Sequence, residues 1–215
     1  MARKKSDTRE TVVAKLIEVF FEYGFDGASL SIISERTGLQ RASLYHHFPG
    51  GKEEMARAVL ETSDRWGEEF VRKLAVDTSL SAKDRLVRLN KNIDEIHWHP
   101  KQLTPSNAFV IGSKSDEFAK HIQWHYHGCV WLLAELMLAC GVPSDVARRR
   151  AWEQRIMWEG GLVCSRVLGE MSLFRGLMQR MPEYLLSPPD TPGFLPEDMV
   201  LPSFAGKLEQ ETSSK

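Results

Sequence analysis

The 215 residues, 42% hydrophobic and 27% charged, have the make-up of a soluble globular protein of one or two domains with a sizeable core. A net charge of -1 excludes a polycation, and no apolar run approaches the ~20 residues that span a bilayer. The basic start MARKKSDTRE has no apolar segment behind it and so is no secretory signal, which leaves a cytoplasmic location as the expectation.

Residues 1–7 read as a flexible basic arm. Asp7 and Glu10 have capping-box spacing, and a helix is expected from there to about Tyr23, with Val13, Ile17, Phe20 and Phe21 on one stripe and Gly24 as its stop. Ser29 is a good N-cap for a short second helix that buries Leu30 and Ile33. Gly38 falls where the chain leaves that helix, a position that often needs positive φ. Leu39 and Leu44 would anchor a third helix, leaving Gln40, Arg41, Ala42, Ser43, Tyr45 and His46 on or near its outer face. A fourth helix is expected from Lys52 to about Leu74, carrying Met55, Val59 and Leu60. Two short helices joined by a Gly-containing turn make a helix-turn-helix, whose second helix enters the DNA major groove. Up to Lys52 there are eight basic and six acidic residues, a net of +2, so the remainder carries -3. That asymmetry is compatible with a DNA-binding end and is too mild to argue for one alone.

Downstream, Ser81 opens a helix through SAKD, with Leu86, Leu89, Ile93 and Ile96 inward. An irregular stretch, HWHPKQLTPSN, precedes the short apolar segment AFVIG. Ser115 caps a long helix to about Cys140 that is apolar on two sides, with Phe118, Ile122, Cys129 and Leu133 on one and Trp124, Trp131 and Leu138 on the other. Such a helix is buried twice, and one of its partners can be a second subunit. Gly141–Ser144 separates it from a second long helix, Asp145 to about Leu168, in which Gly160-Gly161 suggests close helix approach. A last helix is expected from Ser172 to about Leu186. Beyond Ser187 lie five prolines, and an extended or disordered tail is expected, docked at Phe194 or Phe204.

The stretch from Ser29 to Met55 resembles the DNA-binding motif of the TetR family of bacterial transcriptional regulators. The matching features are Ser29 with Ile33, Gly38-Leu39, Ser43-Leu44-Tyr45, His47-Phe48 and Lys52-Glu53-Glu54-Met55, with VFFEYGFDG upstream. Two departures are Gln40, where a Ser or Thr cap is common, and the longer turn Pro49-Gly50-Gly51. The resemblance implies an all-α fold of nine or ten helices. A helix-turn-helix domain over 1–55 would precede a ligand-binding and dimerisation domain over 56–187 and a Pro-rich tail over 188–215. It further implies a homodimer on a double-stranded operator, a small-molecule effector, no membrane partner, no cofactor and no enzymatic activity. Ser29, Gln40, Arg41, Ala42, Ser43, Tyr45, His46 and Lys52 are the expected DNA-binding residues. Arg41 suits guanine O6 and N7, and Ser43, Tyr45, His46 and Lys52 suit phosphate.

A ligand site is expected around Trp98, Phe109, Trp124, His125, Trp131 and Trp158, since aromatic walls with a few polar handles suit an apolar molecule. The plain alternative is core. Gly160, Gly161, Val163 and Val167 are the expected dimer interface. His121 and His125 are spaced as zinc ligands on a helix, but no third ligand stands near, so no metal is expected. Cys129, Cys140 and Cys164 form no CxxC pair and suit a reducing compartment. A thiol sensor at Cys129 and Cys140 weighs less than buried small hydrophobes. Two rivals stay open: a DNA-binding dimer with no ligand, and a helical enzyme or metal-binding protein carrying a helix-turn-helix-like segment.

Overall fold

A computed structural model describes residues 8–67, 73–96, 104–110 and 112–202. All of their regular structure is helical: α1 (Arg9–Gly27), α2 (Leu30–Thr37), α3 (Arg41–His47), α4 (Gly51–Gly67), α5 (Lys73–Ala75), α6 (Ala82–Ile96), α7 (Pro105–Phe109), α8 (Ser115–Ala139), α9 (Ser144–Leu168) and α10 (Ser172–Leu185). The protein is all-α, with a helix-turn-helix at its N-terminal end and a helical remainder. Two compact units are formed, residues 1–69 with 101–123 and residues 70–100 with 124–215.

The first unit is built on α1, which packs against α2, α4 and α7. Its N-cap is Thr8, whose hydroxyl accepts from the amide of Thr11, rather than the expected Asp7. Gly24 has φ 68° and kinks the helix, which then resumes to Gly27. Phe20, Phe25, Phe109 and Phe118 stack and edge together at 5.3–6.2 Å between ring centres. Phe109 was expected to line a ligand site in the second domain. It lies in the first unit's core instead, because α7 and the start of α8 belong to that unit.

In the second unit α10 packs on α9 and α6. Ser81 caps α6 by accepting from the amide of Asp84 (3.1 Å), and its hydroxyl donates back to the Asp84 carboxylate (2.6 Å). Arg150 is fully buried. Its guanidinium donates to the carbonyls of Leu185 (3.1 Å), Ser187 (2.8 Å) and Pro188 (2.7 Å), closing the end of α10. Beyond that point Glu153 accepts from the amide of Leu195 (2.9 Å) and from the hydroxyl of Tyr184. Burial and the adjacent Glu153 push that phenol well above its usual range. The tail is therefore fixed through its backbone to buried charges on α9. Phe194, one of its two expected anchors, is half-exposed, and Phe204 lies outside the described residues. No helix among the described residues is long and apolar enough to cross a membrane.

Candidate nucleic-acid interface

The α2–α3 corner is set by local chemistry. Ser29 caps α2 through the amide of Ile32 (3.3 Å), and Gly38 ends it in the left-handed region at φ 74°. The buried Thr37 hydroxyl donates to the carbonyl of Ile33 (2.7 Å), and Lys15 donates to the carbonyl of Thr37 (2.8 Å), tying the corner to α1. Ser34 donates to the carbonyl of Leu39 across the turn. Leu44 is the one fully buried residue of α3, so the helix sits on the core by a single anchor and by Phe48, just past its end.

Gln40, Arg41, Ala42, Ser43, Tyr45 and His46 are all exposed around that anchor. Gln40 occupies the N-cap with no side-chain capping bond, which leaves its amide on the outer face. Arg41 Nη2 donates to the Ser31 hydroxyl at 3.1 Å, so α2 steadies the side chain suited to read a base. Ser31 escapes a reading of the sequence because its role depends on the angle between two helices. Pro49-Gly50-Gly51 closes with Gly51 at φ 70° and with the Gly50 amide on the Glu54 carboxylate (2.7 Å). Tyr45, Gly50, Gly51, Lys52 and the acidic Glu53 then share one open surface hollow. Lys52 is turned partly inward there. Its ammonium donates to the carbonyl of Phe25 (2.9 Å) and lies 4.4 Å from that ring's centre, so only part of its donor capacity faces outward.

The expected ligand and dimer residues are dispersed. Trp98 lies outside the described residues. Trp124 is 42% exposed and Trp131 37% exposed, so neither lines an interior site. A small cavity of about 50 Å³ does exist in the second unit, walled by Leu89, Ile93, Val130 and Leu133. Cys129, Gln154, Arg155 and Trp158 complete its wall. Arg155 is paired with Glu159 (2.7 Å) and stacked on Tyr126 and Trp158 at 4.0 and 4.6 Å. His125 lies beside Cys129, and His121 pairs with Asp64 in the first unit. Among the described residues no three His, Cys, Asp or Glu side chains converge as a metal site. Gly161 approaches α10 of its own chain, where an added Cβ would meet Phe174 and Leu177 at 3.2 and 3.3 Å, so its closeness is not an intersubunit one. Gly160, Val163 and Val167 are exposed on α9.

Two short helices joined at a left-handed glycine, the second held on the core by one leucine with its polar face outward, are the arrangement of a helix-turn-helix DNA-binding protein. Residues 13–59 match the family model of bacterial regulatory proteins, tetR family. The HTH-type transcriptional regulator LmrA of Bacillus subtilis (strain 168) is 34% identical over 167 residues, covering 74% of this chain and 86% of that protein. The uncharacterized HTH-type regulator YxaF of the same organism is 28% identical over 167 residues, 75% of this chain and 86% of its own. Among solved structures, a TetR transcriptional regulator from Legionella pneumophila superposes at TM-score 0.69, with 17% identity, over 86% of this chain and 99% of that one. A cysteine mutant of the TetR family regulator CifR, complexed with 26-base-pair operator DNA, gives TM-score 0.69 at 19% identity over 85% and 98%. The last two likenesses concern the fold. The chain belongs to the TetR family: it is a transcriptional regulator that binds operator DNA, and not an enzyme.

Proposed function

We propose that the protein is a repressor that binds a near-palindromic operator as a two-fold dimer and releases it when a small effector enters the second domain. In this reading the helix-turn-helix of residues 1–55 reads DNA, the part of 56–187 that lies in the second unit binds the effector and dimerises, and residues 188–215 are the tail. Arg41 reads guanine, while Ser43, Tyr45 and His46 hold phosphate. The setting is cytoplasmic.

The observation that carries the dimer is a pair of exposed apolar stripes in the second unit. On α8, Trp124, Trp131 and Leu138 recur every seven residues. On α9, Ile156, Val163 and Val167 are exposed, Val167 by 82%. Seven residues are two helical turns less ~20° and four are one turn plus ~40°, so each set shares one face. Contiguous apolar faces of this kind mark protein interfaces. An isologous pairing through them presents two α3 helices to DNA, hence the near-palindrome with half-sites about one helical turn apart or slightly more. The cavity supports the effector, which must prefer one separation of the reading units, since a ligand with equal affinity for both shifts nothing.

Sedimentation at micromolar concentration tests the reading. A dimer that Val163→Asp converts to monomer, with loss of operator binding, is expected. A wild-type monomer with and without DNA rejects the two-fold arrangement. For the effector, a compound that quenches tryptophan emission should also loosen the operator complex, and one that binds without loosening it rejects coupling.

A further inference from the structure

Cys129 and His125 lie one turn apart on α8, with Sγ 3.6 Å from Nε2, and Cys129 faces the small cavity. Arg155 faces the same space, as does Gln154, which is 2% exposed. Gln154 Nε2 donates to Asn90 Oδ1 at 2.8 Å, whereas its Oε1 is buried with no hydrogen-bond partner among the described residues. A buried acceptor on a cavity wall asks for a donor from whatever occupies the cavity.

We propose that Cys129 is a covalent modification site for small α,β-unsaturated carbonyl compounds, best those bearing a hydroxyl, with His125 moving the proton. This names the effector class of the cavity above and rests on that reading. Size is the first argument. About 50 Å³ is far short of the roughly 300–1,000 Å³ that holds a drug-sized ligand. A molecule of a few heavy atoms buries little surface, so a lasting signal from it needs a bond. Chemistry is the second. A thiol beside an imidazole can pass its proton over and attack as thiolate. The aliphatic walls favour a carbon electrophile over a hydrated oxidant. Disulfide formation lacks a near partner: Cys140 is eleven residues further on, just past the end of α8 and ~16 Å away by helical rise, and Cys164 is exposed on α9 and not among the residues that line the cavity.

The step balances without an oxidant. The Cys129 proton passes to His125 Nε2, Sγ bonds to the β-carbon, and the C=C π pair moves toward the carbonyl as an enolate. Arg155 lies where it can meet the charge developing on that oxygen. The imidazolium then returns its proton to the α-carbon, leaving a saturated thioether. Gln154 Oε1 accepts the hydroxyl of the electrophile.

The test uses full-length protein with 2-cyclopenten-1-one and its 4-hydroxy derivative at pH 7. Adducts are located by peptide mass spectrometry, and rates are referred to free glutathione with the same compound. Cys129 should react at least about tenfold faster than glutathione, and Cys140 more slowly than it. His125→Ala should bring Cys129 down to the glutathione rate. Gln154→Leu should erase the preference for the hydroxy compound. A wild-type Cys129 no faster than glutathione overturns the proposal without recourse to any variant, and so does a His125→Ala protein, folded by circular dichroism, that reacts as fast as wild type. Operator affinity of the fully modified protein is then measured. Loss of binding supports the whole account. A selective adduct with unchanged binding keeps the reactive site and overturns the effector reading alone.

Discussion

The two units distribute polarity in opposite ways. In the first, the core is aliphatic and aromatic, and the buried polar residues among those described are Thr37, Thr104 and Ser106, all small hydroxyls, two of them bonded to backbone. Its large exposed hydrophobics are only Tyr23, Tyr45 and Val110 among the described residues. In the second, Arg150, Glu153, Gln154 and Arg155 are buried, while Trp124, Trp131, Ile156, Val163 and Val167 stand on the surface. A unit whose polar face does the work can keep an ordinary interior, as the proposed meeting of DNA with the outside of α3 requires. A unit with charges inside and apolar stripes outside has the surface that the proposed pairing with a second copy would cover.

The largest effect that would break this comparison is at Arg150. Arg150→Ala leaves three carbonyls without their donor, one buried and two part-buried, and opens a cavity, so urea unfolding should show a loss of about 3–5 kcal/mol with the slope unchanged. A loss under 1 kcal/mol would show that the buried charge is incidental. The counterpart in the first unit is Leu44→Ala, expected to cost about 2–4 kcal/mol as a simple core truncation. Its loss should be accompanied by loss of operator binding, because α3 has no second buried residue of its own.

Smaller is Ser31→Ala. It removes one exposed hydrogen bond to Arg41, and should leave stability within about 0.5 kcal/mol while lowering operator affinity by about 0.5–1.5 kcal/mol. Fluorescence anisotropy on a selected operator checks it, and an unchanged affinity means that Arg41 needs no steadying. The smallest effect is at Asp26. Its exposed carboxylate accepts the hydroxyl and amide of Ser113, and those bonds hold its pKa below the ordinary value. A carboxyl depressed in the folded state stabilises above about pH 4 and loses that contribution as pH falls through its folded value. Wild type should therefore melt above Asp26→Asn at pH 6 and converge with it toward pH 3. A gap that persists at pH 3 would mean the ionised carboxylate is not its cause.

Helices were legible wherever one apolar stripe met one cap, as at Ser29, Gly38 and Ser81. The exposed face of α3 was legible because the helix is short: with Leu44 inward, few positions can point elsewhere. Reading failed where the answer depended on a distant partner. DVARRRAWEQR is rich in charge, and only the return of α10 and the tail gives buried Arg150 and Glu153 their partners, while Asn90 on α6 meets Gln154. Trp124 and Trp131 read as pocket wall because a helix apolar on two sides does not say which side meets its own chain. Phe109 was misassigned because residues 101–123 join a unit that otherwise ends near residue 69, a return that periodicity cannot encode.

The central claim is that α3 reads operator DNA from its exposed face, twice per assembly. Selection of bound sites from random-sequence duplexes, run side by side for wild type and Arg41→Ala, tests it most directly. Wild type should enrich a near-palindrome with half-sites about one helical turn apart or slightly more, and Arg41→Ala should lose preference at one base pair in each half-site, at a cost of about 1–3 kcal/mol. Enrichment of an asymmetric single site, or an Arg41→Ala profile identical to wild type, would contradict it.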